Sequence, residues 1–346
     1  MNCHPERSEG PAVRRKVQIL LFAQDDKIWR FESRTVGFRF HRRLLALRKL
    51  FLHGALLLCA AWSLAQAPAS RTAPGGACSS ELVTLRATDG MRLQGIVFHA
   101  SKPRAIALLL VHGYAGNFYE AYFPKLAEAA AHAGYDTLAL NMRDHDSGPK
   151  KSSFTDNQSD IAAGVAYLHE LGHKRLALLG QSMGTNRVLY YQASSDDPDI
   201  AGTVLVSGVG DLFEWNVWQF GKEKAQATVD EALNLQRAGR EEELMLVDLG
   251  PIGKALYSAR YLLSLRGPDR LSNPYQNLAK VKNPILIIQG TADKLIQKDI
   301  GKRLQMAAPS GSAAVLVSIE GAAHGYENYE SALSDKVLGW LNTVAP

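Results

Sequence analysis

The sequence predicts an α/β fold, a mostly parallel central sheet flanked by helices, and three observations point to it. From residue 81 onward, short apolar runs alternate with helix-period patterns, as in βα units. Two of the runs, AIALLLV (105–111) and RLALLG (175–180), are nearly continuous, as strands covered on both faces are. About 75 residues then separate the apolar runs GTVLVSG and NPILIIQG, far more than one crossover needs, so an insertion interrupts the alternation.

Taken in order, ELVTLRA and RLQGIVFHA flank TDGM and read as an opening antiparallel hairpin. AIALLLV is the next strand. A helix then starts near Pro124, a residue suited to the first helical position, and runs through KLAEAAAHA to Gly134. DTLALN is a strand, SDIAAGVAYLHELG a helix and RLALLG a strand; a helix starts at Met183, and GTVLVSG is a strand. The insertion, about residues 211–275, carries helical patterns such as KEKAQATVDEALNLQRA and reads as a helical lid over the sheet's C-terminal edge. NPILIIQG and AAVLVSI are strands around a helix near 297–307, and YENYESALSDKVLGWLNTV closes the chain as an amphipathic helix.

The basic balance of the chain, a formal +5, is confined to its beginning. Residues 1–65 hold 12 Lys/Arg against 5 Asp/Glu, and the remainder is net −2, so no nucleic-acid surface is implied. Within that segment HRRLLALRKL, FLHGALLLCAAWSLA and a small-residue site after Ala65 or Ala67 have the three parts of a secretory signal. The expectation is an exported protein, periplasmic or secreted, with no stable membrane partner after cleavage; an uncleaved anchor is the alternative. The 40 residues ahead of the signal are long for its basic region, which suggests a later translation start. Residues 66–80 form a linker, and the domain proper spans 81–346. Cleavage leaves Cys78 as the one cysteine of the mature chain, so no intramolecular disulfide is available, and its flexible-looking RTAPGGACSS setting marks a spectator thiol.

Between RLALLG and the following helix lies GQSMG, residues 180–184. A serine held on a sharp strand-to-helix turn is the context a G-x-S-x-G nucleophile requires, and Gly180 and Gly184 let strand and helix approach closely there. A serine hydroxyl needs a base and a group to orient that base. Of ten histidines, His41 and His53 precede the domain, while His132, His169 and His173 fall on helical surfaces or ends. His324, in the small-residue loop EGAAHGYENYE between the last strand and the closing helix, is the candidate base. Asp293, three residues past Gly290 in IIQGTADKLI, is the candidate acid, and Asp211 just after GTVLVSG is its alternative. The order Ser182, Asp293, His324 is the one this architecture uses. LLLVHGYAGN places His112 and Gly113 at a strand end, so the backbone N–H groups of Tyr114 and Met183 are the expected oxyanion hole, with His112 in a structural hydrogen-bonding role.

On these residues, HGYAG, GQSMG, GTAD and GAAH in this order, the sequence from about 81 to 343 resembles the α/β-hydrolase superfamily, nearest to esterases and serine aminopeptidase-like members with a helical cap. The resemblance implies two-step acyl transfer through an acyl-serine, on a small-molecule ester, thioester or other acyl substrate, with no metal or organic cofactor. An exopeptidase or amidase is the second reading, and a non-catalytic binding protein on the same scaffold is the third. Gln181 departs from the pattern, since many relatives carry His or Tyr before the nucleophile. Tyr119, Tyr122, Trp215 and Trp218 are candidate pocket aromatics, with ordinary packing as the alternative. NMRDHDSG sets Arg143, Asp144, His145 and Asp146 in a loop near the expected mouth, where a polar turn is favoured over a metal site.

Overall fold

The computed structural model describes residues 78–344. The signal and anchor readings of residues 1–65 and most of the linker lie outside the described residues. Ser79 and Ser80, assigned to the linker from sequence, already belong to the first strand.

Eight strands form one sheet: β1 (Ser79–Arg86), β2 (Arg92–His99), β3 (Ile106–Val111), β4 (Thr137–Leu140), β5 (Arg175–Gln181), β6 (Ile200–Val206), β9 (Ile285–Gly290) and β10 (Val315–Ile319), in the order β1-β2-β4-β3-β5-β6-β9-β10. Only β1/β2 and β2/β4 pair antiparallel, and every later pairing is parallel. β3 shows why its sequence lacks alternation. Ala107, Leu109 and Val111 join the hydrophobic cluster on one face, Ile106, Leu108 and Leu110 the cluster on the other, and all six are buried.

Helices cover both faces. α1 (Phe123–His132) and the closing α9 (Glu330–Val344) bury Leu126, Ala130, Leu333 and Val337 on one side. α2 (Asn157–Glu170), α3 (Met183–Ser195) and α8 (Ile300–Ala307) bury Ile161, Val165, Val188, Leu189 and Leu304 on the other. Burial of these side chains, at roughly 1.5–3 kcal/mol each, is what fixes the helices to the sheet.

The insertion between β6 and β9 departs from the all-helical expectation. It contains α4 (Leu212–Phe220), α5 (Lys222–Arg237), an antiparallel hairpin of β7 (Leu244–Asp248) and β8 (Lys254–Ser258), then α6 (Ala259–Arg266) and α7 (Pro274–Leu278). The hairpin turn DLGPIGK uses two glycines in the left-handed region, Gly250 at φ 56° and Gly253 at φ 100°. The hairpin is joined to the body through Lys150, whose N–H donates to Leu256 O and whose carbonyl accepts from Ser258 N, both at 2.8 Å. A third hydrophobic cluster, including Val229, Met245, Tyr257, Tyr261 and Leu262, seats the insertion against Met183 and Phe154.

Candidate functional site

The parallel strands end along one edge, and the residues singled out from the sequence collect there. Ser182 follows β5 directly and has φ 54° and ψ −123°, a left-handed backbone that a non-glycine residue adopts only under constraint. Its N–H donates to Val206 O at 2.9 Å, which ties the turn to β6. The flanking glycines are required by space. A Cβ on Gly184 would lie 2.3 Å from Val111 O, and one on Gly180 would lie 2.4 Å from Gly184 O.

His324 and Asp293 are brought together by two laced loops. Thr291 N donates to Ile319 O at 3.1 Å, Ala292 N to Ala322 O at 3.0 Å, and Gly321 N to the Thr291 hydroxyl at 2.9 Å. The result is a 2.7 Å contact between His324 Nδ1 and Asp293 Oδ2, with the Asp293 side chain fully buried. Asp293 Oδ1 accepts from Leu295 N at 2.9 Å, so the carboxylate is held at both oxygens. With Nδ1 as the donor to Asp293, Nε2 of a neutral His324 is left as the acceptor.

Asp211 is occupied elsewhere. It caps α4 by accepting from Phe213 N and Glu214 N, pairs with Arg270 at 2.6 Å, and accepts from Asn273 Nδ2 at 3.0 Å. It therefore serves as a helix cap and ion-pair partner, not as the acid beside His324.

The loop after β3 faces the turn of Ser182. Gly113 N donates to Gln181 Oε1 at 3.1 Å, so the Gln181 side chain fastens this loop to the serine turn. Among the described residues, the amides of Tyr114 and Met183 donate to no protein acceptor. His112 is buried, accepts from Met142 N at Nε2 (3.0 Å) and meets Gly113 O at Nδ1 (2.7 Å), so it holds a single neutral tautomer. Burial, with the Arg187 charge beside it, pushes its pKa down to about 3.

The NMRDHDSG loop is a structural hub. Asp144 is buried; Nη2 of Arg187 donates to both of its carboxylate oxygens, at 2.7 and 2.8 Å, and the Tyr261 hydroxyl donates to it at 2.8 Å. Burial alone would raise the Asp144 carboxyl, but Arg187 foremost outweighs it and holds it below the usual range. Lys150 Nζ is buried and donates to the carbonyls of Asp144, His145 and Asp146. Arg143 binds Asp160 and Asp89, and His145 Nδ1 lies 2.6 Å from Asp146. Among the described residues, no group of three or more His, Cys, Asp or Glu is arranged to hold a metal ion. His173, grouped from sequence with the histidines on helical surfaces or ends, is buried 2.9 Å from Asp136. Cys78 lies 3.4 Å from His132 Nδ1.

Ser182 and His324 line one cleft of about 40 Å³, with Tyr114, Met183 and Trp215. Trp215 is fixed by its indole N–H, which donates to Leu295 O at 2.7 Å. The other three candidate aromatics lie off it. Tyr122 is core, edge-on to Tyr326 and Phe123, while Tyr119 and Trp218 are exposed at 60% and 42%. Their spacing gave no means of telling pocket from packing. The walls come instead from residues the sequence did not mark: Val209, Leu212, Leu249 and Ile252, and the hairpin and helix residues Tyr257 and Arg266. Among the described residues, no helix is long and apolar enough to cross a membrane.

Comparison with known proteins agrees with this architecture. A sequence model described as the alpha/beta hydrolase fold matches residues 106–250. No curated protein sequence matches the chain. Among solved structures, an esterase domain from Rhodothermus marinus aligns over 77% of this chain and 98% of its own, with 18% identity and a TM-score of 0.54. Est1E from Butyrivibrio proteoclasticus, solved with ferulic acid bound, aligns over 75% and 98%, with 17% identity and a TM-score of 0.57. A monoacylglycerol lipase from Paleococcus ferrophilus aligns over 73% and 100%, with 18% identity and a TM-score of 0.56. The chain has the alpha/beta hydrolase fold, and its sequence matches the model of that fold over residues 106–250.

Proposed function

We propose that the protein is a serine hydrolase that cleaves carboxylic esters of small molecules, with Ser182 as nucleophile, His324 as general base and acid, and Asp293 as the group that orients the imidazole. The observation that carries this reading is the His324–Asp293 hydrogen bond on the same cleft as a strained Ser182. His324 Nε2 takes the Ser182 proton as the oxygen attacks the ester carbonyl. The carbonyl oxygen, now negative, is met by the N–H groups of Tyr114 and Met183, which have no protein acceptor of their own. Collapse breaks the C–O bond, and His324 returns the proton to the leaving alcohol. Water, deprotonated by the same imidazole, then attacks the acyl-serine and releases the acid.

The cleft is far below the roughly 300–1,000 Å³ of typical ligand pockets, which favours short acyl groups and assigns the insertion the role of a lid that moves when larger substrates enter. Export from the cell remains part of this proposal and rests on residues 1–65.

Labelling of the protein from residue 66 to 346 with a fluorophosphonate, followed by peptide mass analysis of the modified site, tests this reading. Stoichiometric modification at Ser182, absent from Ser182→Ala, is the expected result. Folded protein that takes no label, or takes it at another serine, overturns the assignment.

A further inference from the structure

Among the described residues, the buried side chains of Arg187, Arg143 and Lys150 are neutralised or hydrogen-bonded, and Arg266 differs from them. Arg187 is held by Asp144, Arg143 by Asp160 and Asp89, and Lys150 by three carbonyls. Arg266 is 4% exposed, no acidic side chain pairs with it among the described residues, and its Nε and Nη1 are fully buried without a hydrogen-bond partner. Its guanidinium stands 5.7 Å from the ring centre of Tyr257. The hydroxyl of Tyr257 is also buried and without a hydrogen-bond partner. Both residues line the cleft of Ser182 and His324.

Leaving such donors unsatisfied is costly: a buried charge requires a partner, and an orphaned hydroxyl forfeits its hydrogen bond to water. Arg266 is the last residue of α6, where the helix dipole favours a cation, but that field supplies no acceptor. Apart from Tyr114, Ser182 and His324 the remaining walls, Val209, Leu212, Leu249 and Leu295 among them, are apolar, and no lining residue is an Asp or Glu. The missing counter-charge therefore belongs to whatever occupies the cleft.

From this we infer that Arg266 and Tyr257 form an anion subsite, and that the ester substrate carries a carboxylate which Arg266 binds beside the reacting carbonyl. A carboxylate fits better than a phosphate, since one guanidinium neutralises one negative charge and its planar fork matches a planar oxyanion in two parallel hydrogen bonds. The inference rests on the ester-hydrolase reading given above and narrows its substrates to half-esters of dicarboxylic acids or acyl esters of hydroxy acids.

The experiment compares isosteric pairs by product analysis. Monomethyl succinate against methyl levulinate places the charge on the acyl side; acetoxyacetate against acetoxyacetone places it on the alcohol side. A preference in kcat/KM of roughly tenfold or more for the anionic member of one pair is expected, and the pair showing it identifies the side. That ratio should fall to about one in Arg266→Met and be partly kept in Arg266→Lys, while Tyr257→Phe lowers it less. Equal cleavage of both members, or a ratio unchanged in Arg266→Met, overturns the subsite and leaves the hydrolase reading standing. Succinate binding by calorimetry to the wild-type protein and to folded Arg266→Met provides a readout free of turnover. If no ester is cleaved, the hydrolase reading fails, and the subsite then stands on succinate binding that requires Arg266 and falls if binding is absent or equal in both.

Discussion

Asp293 Oδ2 lies 2.7 Å from His324 Nδ1, and the carboxylate that makes this contact has no solvent exposure on its side chain. A buried acceptor at that distance selects one tautomer and one orientation of the imidazole. Asp293→Asn can present its amide to Nδ1 and thereby reverse the tautomer. The expected loss in kcat is on the order of 10³–10⁴-fold with the fold intact, read on a short-chain ester. Asp211→Asn should leave kcat within a few-fold and lower the unfolding temperature, because it weakens the cap of α4 and the Arg270 pair. The opposite pattern would exchange the two roles.

Gln181 lends itself to a different kind of test, because it touches the loop and not the reacting atoms. Its Oε1 accepts the Gly113 N–H at 3.1 Å, one residue before the amide of Tyr114. Gln181→Leu removes that acceptor while keeping the side chain's bulk. A small displacement of an oxyanion donor costs up to about 100-fold in rate. We expect kcat to fall roughly tenfold or more with KM little changed; a change confined to KM would mean that Gln181 contacts substrate instead.

Much of this site was legible in the sequence because its parts are governed by local rules. GQSMG between an apolar strand and a helix, and GAAH and GTAD after strands, name a turn and two loop ends whose positions follow from the parallel sheet. The contacts that complete the site are long-range and leave no such mark. Arg266 ends YLLSLR, a pattern that reads equally well as a surface cation at a helix end. Asp144 and Arg187 meet across 43 residues of chain, and nothing in NMRDHDSG announces that Asp144 is buried while Asp146 is only half-buried. The turn of the β7/β8 hairpin carries two glycines around a proline, a local mark set between helical patterns on either side.

The close approach at the serine turn predicts a sharp contrast between two glycines. Gly184→Ala would set a Cβ 2.3 Å from Val111 O and 2.7 Å from His112 O, both backbone atoms that cannot swing away. Overpacking of this kind costs about 1–3 kcal/mol and more where backbone must move. At Gly148, where an added Cβ meets nothing within 4 Å, the same substitution should change stability by less than about 0.5 kcal/mol. Urea unfolding of the two variants side by side checks this. A Gly184→Ala protein as stable as the wild type would mean that the strand and helix are not packed as described.

His112 predicts how the fold responds to acid. Buried, with Nε2 accepting from Met142 N and the Arg187 charge nearby, it resists protonation down to about pH 3, whereas in the unfolded chain it takes a proton near the ordinary value of 6.5. Between those values the unfolded chain binds one proton more than the folded one, so stability falls as pH drops, by about 1.4 kcal/mol per unit. The contribution is fully present above pH 6.5 and is lost progressively below it. Asp144, held below 3.8 when folded, adds its loss only in stronger acid. His112→Gln should be less stable at neutral pH because its two hydrogen bonds are disturbed, yet its unfolding free energy should decline less between pH 7 and pH 5. The difference between the two declines is expected to be about 2 kcal/mol. Equal declines in both proteins would mean that His112 takes up its proton within the folded state, and its role as a fixed neutral support of the loop carrying Tyr114 would fall with that result.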